Sequence, residues 1–437
     1  MAQYAAPQYM NSHLTSYKAL PPGHRFGLFF KCWESDWSRD EKGKKDGLQQ
    51  VLELETPVKD LIKALRLRQA AQALNSSKGL YQISALSESP FMTGIGMEHP
   101  VENGFAFLNP YGIPYLPGSG AKGVLRRAAE ELALDGSLNE GWDLAAVWWL
   151  FGFEAGSLYL MGKPRPPADE VAPKWWEFYM NNINGLAASP WLAPWMSSVL
   201  SGQDRAAYLG RPQEFLYALA KDKKVREKIH SRGALSFWDV LPEPAGGKLG
   251  LDILTPHYGD YYQGSSPPND SGKPVPNPFL VMPPGSRFTF YVQCESGRLP
   301  VALAESWQKL LEKSFKHAFE WLGFGAKTAV GYGQMVYENR NVPEEKRAPE
   351  GGNIAADKPP FAAETIVWEK ANLSWFPGNQ QLTATSGNYK AQIRLIDKKL
   401  IPESLHKVLF DKKKSTPAKV TVKKEGNLYS ITKIETI

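Results

Sequence analysis

Apolar residues return at helical spacing in two long stretches of this chain and alternate at strand spacing in several short ones. Leu125, Ala128 and Leu132 fall at i, i+3 and i+7, one stripe of a helix behind a glycine-rich turn. Trp307, Leu311, Phe315, Ala318 and Leu322 form a second stripe, with Gly323 placed to stop it. A further helix is predicted over residues 58–74. Phe288, Phe290 and Val292 alternate within 287–292 and predict a strand with one buried face. An early strand is expected at 26–30, and the charged stretch 33–47 reads as a loop.

Past residue 360 the period shortens to two. Strands are predicted over 365–372, 381–386, 389–396, 419–424 and 428–432, with a short helix over 404–410. Three strands, a helix and two strands is the order of an OB-type barrel, although other small β folds share it. Ahead of it, 341–360 is charged, contains Pro and Gly, and has the composition of a linker. Residues 263–278, rich in Pro, Gly, Ser and Asn, read as a mobile loop. Trp175, Trp176, Trp191 and Trp195 make 164–231 dense in tryptophan. Helix packing in an insertion is the first reading there, and base stacking the lesser one. The expected organisation is an N-terminal extension (1–84), a body (85–340) with that insertion, a linker (341–364) and a basic β-barrel-like domain (365–437).

Composition narrows the class. A length of 437 residues allows roughly two or three domains, and 43% apolar residues suffice for packed cores. Cys32 and Cys294 cannot build a disulfide framework, which points to a reducing cytoplasm. The first twenty residues lack the apolar core of a secretion signal, and the apolar run 144–153 is about half a membrane span. A soluble, cytoplasmic protein with no membrane partner is expected. The net charge of +6 is unevenly placed: 365–437 carries 13 Lys+Arg against 6 Asp+Glu, and the rest nearly balances.

Two glycine-rich segments carry the candidate binding chemistry. The first is Pro117-Gly118-Ser119-Gly120-Ala121-Lys122-Gly123, which leads into Arg126 and Arg127. The second is Gly323-Phe324-Gly325-Ala326-Lys327-Thr328-Ala329-Val330-Gly331-Tyr332-Gly333. Backbone N–H groups free of side chains, beside a lysine, suit phosphate oxygens. Ser119 is the expected N-cap, with Lys122 and Arg126 on one helix face. A glycine-permitted turn into a core helix, its cations merely solvated, fits the first segment equally well. Neither segment is a nucleotide fingerprint, because Lys122 precedes a glycine and Thr328 stands where a third glycine would be.

The first segment resembles the lysine-bearing turn of the RAMP proteins of CRISPR–Cas effector complexes, and the second their glycine-rich loop. Phe237-Trp238-Asp239-Val240-Leu241-Pro242 and the run from Leu251 through Pro256-His257-Tyr258 to Tyr262 resemble the type III-B (Cmr) branch, most of all its sixth-subunit subfamily. Leu150-Phe151-Gly152 and Thr93-Gly94-Ile95-Gly96 fit the same pattern. The resemblance implies an α+β fold with a ferredoxin-like (RRM-like) core. It further implies a non-catalytic RNA-binding subunit in antiviral defence, capping a RAMP filament near the 3′ part of a guide RNA. Partners would be guide RNA, target RNA, and the filament backbone and small subunits. RNA contacts are expected at Gly118, Ser119, Gly120, Lys122, Arg126, Arg127, His257, Tyr258, Gly325, Lys327, Thr328 and Tyr332.

Catalytic signals are weak. None of the seven histidines falls in a spaced metal-ligand set, and neither metal nor cofactor is expected. His257, with Asp252 and Asp260 nearby, is the best acid–base candidate. An RNA-processing endonuclease using His257 or His24 stays open as an alternative, as does a protein-only scaffold. The linker composition predicts that limited proteolysis cuts within 341–360 and releases two stable fragments. Resistance there, with aggregation of a protein truncated at 364, would show that the last segment is part of the body.

Overall fold

The computed structural model describes residues 3–4, 18–38, 40, 43–76, 79–135, 141–161, 175–254, 276–338, 365–376, 381–386, 389–394, 401–411, 415–425 and 428–436. The chain divides into two compact units, Met1–Val342 and Pro343–Ile437. Among the described residues no helix is long and apolar enough to cross a membrane.

The first unit is organised by β1 (Leu80–Ser87), α1 (Gly118–Leu134), β2 (Leu235–Phe237), β3 (Arg287–Cys294), α2 (Val301–His317) and β4 (Met335–Tyr337). The sheet runs β4-β1-β3-β2 and is antiparallel throughout. Ile83 pairs with Phe290 and Ala85 with Phe288, and all four are buried. On the other face Ser84 and Thr289 hydrogen-bond at 3.1 Å. This alternation leaves one apolar sheet face, which the helices cover. Leu125, Ala128 and Leu132 of α1 are buried, as are Trp307, Leu311 and Phe315 of α2. Phe315 packs edge-on against Phe290, ring centroids 5.2 Å apart. Full burial of such a ring stabilises by roughly 1.5–3 kcal/mol.

Register brings distant segments together. Ser87 pairs with Met335 and Leu86 with Arg287, so the end of β1 and the starts of β3 and β4 share one edge. Phe237, the last residue of β2, pairs with Val292, level with Tyr81 near the start of β1, and α1 begins against it. The second glycine segment leads directly into Met335.

Local expectations fail in three places. Residues 26–30 form no strand: Pro22 opens a helix, Pro22–Gly27, and the strand follows at Lys31–Trp33. Proline is pre-set for a first helical turn, which outweighs the apolar run. The expected loop 33–47 gives way at Gly43 to a helix, Gly43–Leu52, whose Leu48 and Val51 are fully buried. Helix α2 stops α-helical geometry at His317 and ends in a π-turn, Ala318–Leu322, before Gly323 at φ 70°. The helix expected at 58–74 is present as Thr56–Asn75.

The described part of the tryptophan-rich insertion is helical from Trp175 to Glu227. Trp195 is fully buried against Trp148, centroids 4.6 Å apart, and Trp149 donates to the Trp191 carbonyl at 3.0 Å. Those tryptophans pack helices. Most of 263–278 and all of 341–360 lie outside the described residues; Asn277–Val281 is a strand paired with Gly250–Leu254.

The second unit holds β5 (Thr365–Phe376), β6 (Gln381–Ser386), β7 (Tyr389–Arg394), a short α3 (Glu403–His406), β8 (Thr416–Glu425) and β9 (Leu428–Glu435). The pairing runs β5-β6-β7-β9-β8 and returns to β5, and only β7–β9 is parallel. Small and branched residues fill its interior: Ala371, Leu373, Leu382, Ala384, Ala391, Val420 and Val422 are all fully buried. Strands β5, β8 and β9 are longer than expected, and cross-strand pairing continues through the added residues.

Candidate nucleic-acid interface

At the entrance to α1 the backbone is crowded. A Cβ at Gly118 would lie 2.3 Å from the Phe237 carbonyl oxygen, so only glycine fits there. The Gly118 N–H donates to Asp239 Oδ1 at 2.8 Å. Pro117, not Ser119, is the N-cap residue, and its carbonyl accepts from Gly120 and Ala121 at 2.9 and 3.1 Å. The expected open cradle is thus partly closed. A carboxylate from the Phe237-Trp238-Asp239 motif already sits on the helix's positive end, where an anion is favoured by roughly 0.3–1 kcal/mol. Ser119 and Gly120 remain exposed on the rim.

The three cations of the first segment differ in kind. Arg126 Nε donates to Glu130 Oε1 at 2.9 Å, Nη1 lies 3.2 Å from Glu154, and Nη2 reaches Ser157 Oγ at 3.3 Å. Arg127 donates to Glu131 at 2.7 Å and lies over the Trp175 ring, 4.2 Å from its centroid. Both guanidiniums are therefore structural partners of helix α1. Lys122 makes no ion pair among the described residues. Burial first, then repulsion from Arg126 and Arg232, lowers its ammonium pKa, with Glu154 opposing. An arriving phosphate would relieve that repulsion. Lys122 is the available cation here.

The second segment is stapled down. Gly325 has φ 91°, and a Cβ there would lie 2.2 Å from the Met92 carbonyl oxygen; at Gly333, with φ 72°, it would lie 1.8 Å from that of Phe324. Ala326 N–H donates to Met92 at 2.8 Å and Gly333 N–H to Pro90 at 2.9 Å. These glycines serve positive φ and close packing against the segment from Pro90 to Met92 that leads to Thr93-Gly94. Lys327 itself is left-handed, φ 58°. Its ammonium lies 5.1 Å from the Phe279 ring centroid and 5.8 Å from that of Tyr332. Tyr332 donates its hydroxyl to Asp252 Oδ2 at 2.5 Å. Burial, then that carboxylate, pushes the phenol up to about 12, so it keeps its proton at physiological pH. Thr328 opens the short turn Thr328–Val330 and accepts from Gly331 N–H at 2.9 Å.

The remaining candidates divide. His257 and Tyr258 lie outside the described residues. His24 Nε2 is 2.8 Å from the Pro110 carbonyl, and His317 pairs with Glu131 at 2.8 Å. Among the described residues no group of three or more His, Cys, Asp or Glu could hold a metal. Sequence reasoning missed Asp239 and the partners Glu130 and Glu131. The i, i+4 spacing from Arg126 and Arg127 was a readable signal for the last two; nothing local marked Asp239 as a cap.

Residues 86–336 match the family model of the RAMP superfamily. The chain belongs to the RAMP superfamily. This RAMP chain is 30% identical over 320 residues to the CRISPR system Cmr subunit Cmr6 of Pyrococcus furiosus, covering 67% of this chain and 79% of that protein. Among solved structures it is similar to a chain of the type III-B Cmr-beta complex bound to cognate target RNA, at 12% identity. That match covers 70% of this chain and 78% of the other, with a TM-score of 0.38. It is also similar to crystalline Cmr6 from Pyrococcus furiosus, at 22% identity over 60% of this chain and 98% of that one, TM-score 0.27. The matched family region of the RAMP chain holds both glycine segments and stops before the second unit.

Two expectations separate packing from binding roles. Gly118→Ala should destabilise by about 1–3 kcal/mol through overpacking, whereas Gly123→Ala, with no neighbour within 4 Å, should be neutral or stabilise by up to about 1 kcal/mol. Thermal unfolding of the full chain compares them. Arg126→Ala should cost on the order of 3 kcal/mol, because Glu130 stays buried without its partner, and Arg126→Met with Glu130→Leu should recover most of it. Equal melting of Arg126→Ala and wild type would return Arg126 to the list of free cations.

Proposed function

We propose that this chain is a non-catalytic, RNA-binding structural subunit of a type III-B CRISPR (Cmr) ribonucleoprotein in the cytoplasm, serving antiviral defence. It caps the RAMP filament near the 3′ part of the guide RNA, with guide RNA, target RNA, and the filament backbone and small subunits as partners. The observation that carries this reading is the 30% identity to Cmr6 across 67% of the chain and 79% of that relative. The chain order β1-α1-β2-β3-α2-β4 with sheet order β4-β1-β3-β2 supports a ferredoxin-like core. The order β5-β6-β7-β9-β8 with its one parallel pair supports an OB-type second unit.

RNA contacts in the body rest on position and charge. Lys122 and Lys327 each stand in a glycine-rich segment, and a sequence-tolerant groove pairs such cations with exposed backbone and aromatic faces. Gly120 and Ser119 border Lys122, and Gly325, Thr328 and Tyr332 border Lys327. Arg126 and Arg127 hold helix α1 in shape behind them. The non-catalytic reading is supported by the engagement of His24 with a backbone carbonyl and of His317 with Glu131.

Co-expression with Cmr subunits and a guide RNA, followed by size exclusion, tests the assignment. The chain should elute within the particle, and labelled RNA should stay intact with or without Mg²⁺. Lys122→Ala with Lys327→Ala should weaken RNA binding evenly across sequences and flatten the salt slope by about 0.7 per lost phosphate contact. A complete particle that excludes the chain overturns the role. Cleavage abolished by His257→Ala would install an endonuclease instead.

A further inference from the structure

The helix Thr56–Asn75 precedes the matched family region and carries two apolar stripes where a surface helix needs one. The first is in use. Val58, Ile62 and Leu65 are buried together with Ile113 and Leu241. The helix is fixed further by Gln69, which donates to the Asp239 carbonyl at 2.8 Å, and by an ion pair from Arg66 to Glu243.

The second stripe faces solvent. Ala64, Leu67, Ala71 and Leu74 follow one another at spacings of three, four and three, the a and d positions of a heptad seam. All four are exposed, Leu67 at 60% and Leu74 at 79%. At the rise of an α-helix the seam is about 15 Å long. Asp60 occupies the preceding d position and ends it. Single exposed leucines are ordinary, but four apolar residues in register along a fixed helix mark a contact surface.

The flanks of the seam determine what fits it. The g position before Ala64 is Lys63 and the e position after Leu67 is Arg68, exposed cations on opposite sides. One heptad on, the same positions are Ala70 and Asn75, which carry no charge. In helix pairing these flanks choose the partner. An incoming helix with acidic flanks gains ion pairs there, while one with basic flanks is repelled. The alanines let its backbone come close, and the leucines supply the knobs. A second copy of this chain fits poorly, because the helix holds a single acid, Asp60, outside the seam. RNA would meet the two cations and leave Leu67 and Leu74 unused in water.

The geometry points to a docking face on residues 64–74 for an amphipathic helix of a partner protein, apolar at a and d and acidic at e and g. The proposal stands whether or not the chain caps a Cmr filament, and it is independent of how the body binds RNA.

Fluorescence anisotropy of a labelled three-heptad peptide, titrated with the full chain, tests it. The acidic probe has Ala at a, Leu at d and Glu at e and g; the control has Lys at e and g. The acidic peptide should bind, and the basic one several-fold more weakly. Leu67→Gln with Leu74→Gln should lower affinity for the acidic peptide by roughly tenfold per leucine. Melting should not change, because both side chains are exposed in the free protein. Lys63→Glu with Arg68→Glu should reverse the preference, so that the basic peptide binds more tightly. Failure of either peptide to bind, or a preference that the charge reversal leaves unchanged, would overturn the surface. Sedimentation equilibrium should give the same mass for wild type and for Leu67→Gln with Leu74→Gln. A dimer dissolved by that pair would make the occupant a second copy and sink the proposal. Affinity for oligouridine that falls in Lys63→Glu with Arg68→Glu, with no peptide bound, would make the face an RNA contact and sink it too.

Discussion

The body depends on the close approach of helix α1 to the end of strand β2. Position 118 has no space for a Cβ beside the Phe237 carbonyl, and its N–H is held by Asp239. This contact sets where α1 begins, and so which of its residues meet the sheet. With Gly118 seated, Leu125, Ala128 and Leu132 are buried, and Lys122 falls at the rim. Shifting the helix by one residue would rotate that stripe by about 100° and bury cations in its place. The glycine at this turn is thus first of all a packing requirement.

The same economy governs the second segment. Its glycines let the chain turn back through positive φ and lie against Pro90 and Met92, and that close fit positions Lys327 over two aromatic rings. Tyr332 is locked by Asp252 from a different strand pair. Rigid placement of a few cations, not a flexible cradle of free N–H groups, is the design common to both segments. Preorganised groups lose little freedom when a ligand arrives, which favours binding without new contacts.

The two units divide the electrostatics. The body nearly balances its charges, many of them in pairs such as Arg126–Glu130 and Arg127–Glu131. The second unit is basic, and residues 371–396 within it carry no Asp or Glu. A balanced body suits packing against neighbours, and a basic appendage adds long-range attraction for polyanions that salt screens.

Much of the architecture was legible in the residues themselves. The stripes of α1 and α2, the alternation of β3 and the five strands past residue 360 follow from periods of 3.6 and 2, which local burial imposes on any sequence. The early helix Pro22–Gly27 and the π-turn Ala318–Leu322 were not legible, because the first carries too few apolar residues to show a period and the second continues the stripe of the helix before it. The candidate site was legible as a list and not as an arrangement. Sequence marked Gly118, Lys122, Arg126, Arg127, Lys327 and Tyr332 as notable, yet assigned all the cations one role. Tertiary structure separated them: Arg126 and Arg127 turn to carboxylates, Lys327 sits over aromatic rings, and Lys122 keeps no ion pair among the described residues. Period and composition act along the chain and can be read there. Whether a charge meets a carboxylate depends on distances of a few ångströms between segments far apart in sequence, and only the fold decides those.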